Sequence, residues 1–157
     1  MRKIVALVIT CLLLSTTAFA AGTKATLPKG YEKWERSSEK IETDKSSLFY
    51  GIHYIYVDKK AMPAYKRGTG YPEGSTFVIE YFNIKNEGGR QIKGKKNMIV
   101  LMKRDKSQRN TGGWLFAGFT PDGSLSRLDV VKNCFECHVQ EAKNRDYVIS
   151  RFSDFKK

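Results

Sequence analysis

The chain has 157 residues, 41% of them hydrophobic, with 28 Lys and Arg against 16 Asp and Glu, a formal net charge of +12 and three cysteines. That length suits one core rather than several, and so few cysteines exclude a disulfide-stapled scaffold. The basic surplus alone admits nucleic acid, an anionic membrane or acidic redox proteins as partners.

The amino end has the layout of a secretory signal. Arg2 and Lys3 precede an apolar run over residues 4–14, and Ala18-Phe19-Ala20 is a small-x-small cleavage site. The run is too short to span a bilayer permanently. Residues 1–20 are therefore expected to be removed, leaving residues 21–157 as one exported, periplasmic domain. Cys11 leaves with the signal, so only Cys134 and Cys137 remain. Export also argues against nucleic acid as a partner, and the scattered basic residues read as solvated loops and tail.

Residues 21–27 read as an unanchored arm. Pro28 opens a short helix with Tyr31 and Trp34 on its buried side. Residues 47–57, dense in aromatic and β-branched side chains, predict a strand. It places His53, Ile55 and Val57 on one face and Ile52, Tyr54 and Tyr56 on the other. Asp58 caps a helix over 59–66 that Pro63 keeps short, and residues 68–74 are a turn. Residues 75–84 (STFVIEYFNI) predict a second strand, with Phe77, Ile79 and Tyr81 on one face and Val78, Glu80 and Phe82 on the other. A polar loop over 85–96, a strand over 98–102, a turn over 110–113 and a strand over 114–120 follow. Pro121-Asp122-Gly123 breaks the sheet. Residues 124–133 carry Leu125, Leu128 and Val131 at helical spacing, residues 139–151 are compatible with a helix, and the end reads as basic and frayed.

Between the last two segments lies Cys134-Phe135-Glu136-Cys137-His138. Two thiols three residues apart, followed at once by an imidazole, share one helical face. That is the attachment pattern of a c-type haem, with the thiols on the porphyrin vinyl groups and His138 as proximal iron ligand. A zinc site needs four ligands, and outside this pentapeptide the exported chain offers no further cysteine and one histidine, His53.

The position of the motif discriminates among cytochromes. It lies near the carboxyl end and no methionine follows it, unlike the common small electron carriers. Four strand-like runs do not suit a four-helix cytochrome. The chain resembles the cytochrome P-460 superfamily, which includes the cytochromes c′-beta. The resemblance is carried by Leu27-Pro28-Lys29-Gly30-Tyr31 with Trp34, Ile55-Tyr56-Val57-Asp58, Gly74 leading into the strand through Glu80, Trp114-x-Phe116-x-x-Phe119 and the terminal haem motif. It implies an α+β fold, a mainly antiparallel sheet with a few helices and a haem lodged against it, and often a homodimer. In the hydroxylamine-oxidising members a strand lysine is bonded to the porphyrin. Ungapped matching puts Ile79 at that position, and Lys85 is the nearest lysine downstream. An isoleucine has no nucleophilic nitrogen, so the resemblance shifts toward the c′-beta type.

The preferred expectation is one covalent haem c with an open distal face walled by Phe77 and Ile79. Such a face admits nitric oxide or carbon monoxide and is not necessarily enzymatic. An electron carrier exchanging with a redox partner protein would close the sixth position with His53, Met62, Met98 or Met102. An oxidoreductase of hydroxylamine or nitric oxide would need an acid or base near the iron. Glu80 points to the face opposite Ile79, which leaves Tyr54, Tyr81 and His53.

Overall fold

A computed structural model describes residues 25–155; the expected signal lies outside them. Six strands form one antiparallel sheet: β1 (Glu35–Arg36), β2 (Lys40–Glu42), β3 (Gly51–Val57), β4 (Thr76–Glu87), β5 (Arg90–Arg104) and β6 (Trp114–Phe119). The order is β1-β3-β4-β5-β6, with β2 also paired to β3. Two α-helices, α1 (Met62–Arg67) and α2 (Glu136–Ala142), and several short 3-10 turns complete the α+β fold.

Alternation along the strands buries both faces of the sheet. One face carries Ile55, Val57, Phe77, Met102, Trp114 and Phe116 and packs against α1 and the carboxyl-terminal segments. The other carries Ile52, Tyr56, Val78, Leu101 and Phe119 beneath Tyr31. Each fully buried side chain of this size contributes about 1.5–3 kcal/mol. The two faces expected for residues 51–57 and 75–82 are those observed.

Several expected elements differ. Residues 85–96 are not a loop. β4 and β5 run on as a two-stranded ribbon joined by Gly88 and Gly89, both with positive φ (56° and 74°), which a two-residue hairpin of this hand requires. The polar composition hid this, because a ribbon beyond the core has no apolar face to show. Residues 47–50 form a turn rather than the start of β3, since Gly51 at φ 136° breaks the extension there. The brief strands β1 and β2 carry no sequence signal. The helix after Pro28 is a single 3-10 turn, Tyr31–Lys33. Ala25 and Leu27 pack against the second core, so the arm is anchored from Ala25 onward.

Residues 124–128 are extended, not helical. Ser126 N–H donates to Gly118 O at 2.9 Å, and Leu125 bridges Phe119, so this segment shields the open edge of β6. Gly118 permits it: a Cβ there would meet Ser126 Oγ at 2.6 Å. The helical region starts only where Asp129 Oδ1 accepts the N–H groups of Val131 and Lys132. The carboxyl end is not frayed through residue 155. Phe152 and Phe155 stack on each other and both meet Tyr65 edge-on.

Candidate haem site

The first face of the sheet is laid out in register. Val57, Phe77, Met102 and Phe116 form one cross-strand row, Ile55, Ile79, Val100 and Gly118 the next, and His53, Tyr81 and Met98 the third. A turn of π type, Val131–Phe135, runs directly into α2 and faces these rows. Between them lies a cavity of about 490 Å³, a size ordinary for a small-molecule cofactor. Cys134, Cys137 and His138 line it on one side. Phe77, Ile79, Tyr81, His53, Ile55, Val100, Met102 and Phe116 line it on the sheet side, and residues 148–151 and Asp154 close it at the rim.

His138 is held in one tautomer. Its Nδ1–H donates to the carbonyl of Tyr147 at 2.5 Å, which leaves Nε2 with its lone pair and no protein partner among the described residues. Burial pushes the His138 pKa down, against the upward pull of that carbonyl, so the ring is neutral at neutral pH. The edge of the imidazole meets Phe116 with centroids 5.0 Å apart.

The carbonyl itself is presented by strained backbone. Asp146 and Tyr147, neither a glycine, both lie in the left-handed region at φ 56° and 64°. Two side chains maintain that turn. The Asp146 carboxylate accepts the N–H groups of Gly70 and Tyr71, and the Tyr147 ring lies over Gly112 and against Phe135. Tyr147 N–H also closes onto Ala142 O at 2.8 Å.

Both cysteines are free thiols. Burial, then the neighbouring charges of Cys137 and Asp129, push the Cys134 pKa up to about 11, and burial raises that of Cys137 as well. Among the described residues no group of three His, Cys, Asp or Glu converges to hold a metal ion.

A family model described as Cytochrome P460 matches residues 28–150. The chain belongs to the cytochrome P460 family. No curated protein matches it. Membership in the cytochrome P460 family implies a haem c cofactor, and the residues present suit that group: a largely apolar cavity, two thiols on its wall and a half-buried imidazole whose free nitrogen is fixed by its own hydrogen bond.

Of the residues singled out in sequence, the fold of this P460 family member brings Phe77, Ile79, His53, Tyr81 and Met102 to the cavity with Cys134, Cys137 and His138. It leaves others out. Met62, the first residue of α1, is buried in the core, and Met98, opposite Tyr81 at the end of the third row, is not on the wall. Tyr54 and Glu80 point to the other face, where Tyr54 donates to Glu39. Lys85 sits on the exposed ribbon, 3.4 Å from Glu87. Lys40 does reach the rim, where its ammonium pairs with Asp154 at 2.8 Å. Sequence reasoning missed Phe49, Val148, Arg151 and the Tyr147 carbonyl. A backbone carbonyl carries no residue signature, and a left-handed Asp-Tyr pair is not a turn signal.

Proposed function

We propose that this protein is an exported mono-haem c cytochrome that binds a small diatomic gas, nitric oxide or carbon monoxide, at an apolar distal face. Cys134 and Cys137 would hold the porphyrin through thioethers and His138 Nε2 would ligate the iron. The bound group supplies a redox-active metal with an affinity for such gases. The observation that carries the reading is the hydrogen bond from His138 Nδ1 to Tyr147 O, which leaves Nε2 of this cavity-lining ring free beside the two cysteines. On the sheet side of the same cavity, Ile55, Ile79 and Val100 stand side by side on adjacent strands. That apolar row offers an anion no hydrogen bond to replace its hydration, while weakly hydrated diatomics lose little beside it; polar groups enter only with the neighbouring row of His53 and Tyr81.

The experiment is the absorption spectrum of the reduced protein with and without carbon monoxide, together with its intact mass. The expected result is a mass above that of the polypeptide by one haem and a Soret band shifted by carbon monoxide. Absence of that shift overturns gas binding, and a mass equal to the polypeptide overturns covalent attachment.

A second reading is favoured by one feature. His53 lines the same cavity, and its Nδ1 is buried without a hydrogen-bond partner. A low-spin spectrum abolished by His53→Ala would make the protein a six-coordinate electron carrier instead.

A further inference from the structure

A second cavity, about 430 Å³ in volume, lies between α1 and the carboxyl-terminal segment. We propose that it binds a small oxyanion of the inorganic phosphate class. Its wall carries Lys66, Arg67, Arg145 and Arg151, with Ser150 and Ser153, and no carboxylate. Among the described residues none of these four cations forms an ion pair; the pairs present are Lys40 with Asp154, Lys85 with Glu87, and Lys96 with Glu80. Nearby carboxylates are engaged elsewhere: Asp146 by the amides of Gly70 and Tyr71, and Asp154 by Lys40 and the Arg151 N–H.

An independent observation sits at the base of the groove. Tyr65 is only 2% exposed, and its hydroxyl has no partner in good hydrogen-bond geometry, the Ser150 side chain being the polar group beside it. Burial pushes its pKa well above the ordinary tyrosine value, against the Ser150 side chain beside it, so it stays protonated and remains a donor. A buried donor without an acceptor costs about 1–3 kcal/mol, and four uncompensated cations around one groove repel. An oxyanion relieves both by accepting charge-assisted hydrogen bonds. Arg145 already donates Nη1 to Ile149 O and Nη2 to Glu141 O, which fixes the guanidinium and leaves donors to spare.

Val148, Ser150 and Arg151 belong to both cavities. A haem propionate therefore offers the same chemistry from a second source, and the experiment separates the two. Purified haem-loaded protein is titrated with inorganic phosphate by calorimetry in low-salt buffer, with chloride of matched ionic strength as control. The expected result is one saturable phosphate site that chloride does not fill. Binding should weaken at least tenfold in Arg67→Gln/Arg151→Gln and severalfold in Tyr65→Phe, with the circular dichroism of both unchanged. No binding up to about 10 mM phosphate overturns the proposal, as does undiminished binding in the double variant. Binding confined to haem-free protein overturns it too, and assigns the groove to the propionates. None of these outcomes bears on carbon monoxide binding.

Discussion

Glu80 sits back to back with the cavity wall, one residue from Ile79 but on the opposite face of the sheet. It is 4% exposed and accepts hydrogen bonds from Tyr31 at 2.8 Å and Tyr56 at 3.0 Å, with Lys96 as a third partner. In Glu80→Leu the two tyrosine hydroxyls, on side chains 4% and 6% exposed, lose their acceptor. At about 1–3 kcal/mol per orphaned hydroxyl the loss is about 2–6 kcal/mol. The Lys96 pair adds under about 1 kcal/mol because the lysine side chain is 30% exposed, and the added apolar burial returns a comparable amount. The net expectation is a destabilisation of about 2–6 kcal/mol, a large part of a typical domain's stability. Adding Tyr31→Phe and Tyr56→Phe removes the orphans and should recover most of it. Urea unfolding of the single and triple variants measures both numbers, and the carbon monoxide response should stay unchanged in each. A single variant costing under 1 kcal/mol, or a triple variant no more stable than the single, refutes the reasoning. Burial pushes the Glu80 pKa up, but hydrogen bonds from Lys96, Tyr31 and Tyr56 outweigh it and hold the group below its ordinary 4.5. Its stabilisation is therefore complete above pH 4.5 and is lost as pH falls through the lower folded value. Glu80→Gln should flatten that acid limb.

Burial also depresses the pKa of His53, against the pull of Glu42 and Asp154 and with the help of Lys40. Folding therefore opposes its protonation, and stability should fall as pH drops from 6.5 toward the folded value; His53→Phe should remove that part of a thermal-unfolding pH profile. A Cβ on Gly112, at φ 63°, would meet the Tyr147 ring at 2.5 Å. Gly112→Ala should cost at least about 1–3 kcal/mol in urea and alter the visible spectrum by moving the carbonyl that holds His138, whereas an unaltered spectrum would detach Tyr147 from the site. Asp58 Oδ1 accepts the Ala61 N–H at 2.7 Å at the approach to α1. Asp58→Ala should lower stability by about 1 kcal/mol in the same assay without affecting the visible spectrum.

The sequence by itself determined the family of this chain and which side chains share a face on each central strand. Cys134, Cys137 and His138 fall within five consecutive residues, and a strand's side-chain period of two needs no partner to be read, so Phe77, Ile79 and Tyr81 could be grouped on one strand and His53, Ile55 and Val57 on another; the register then joined the two groups. Only tertiary structure decided what surrounds them. The ribbon of β4 and β5 owes its form to a paired backbone, and residues 124–128 stay extended because the open edge of β6 accepts them, overriding a helical spacing of leucines. The partner of His138 is a backbone carbonyl nine residues away, held by a left-handed turn that Asp146 ties to Gly70 and Tyr71. Such an acceptor has no side-chain identity, so no residue type announces it until the chain has folded back on itself.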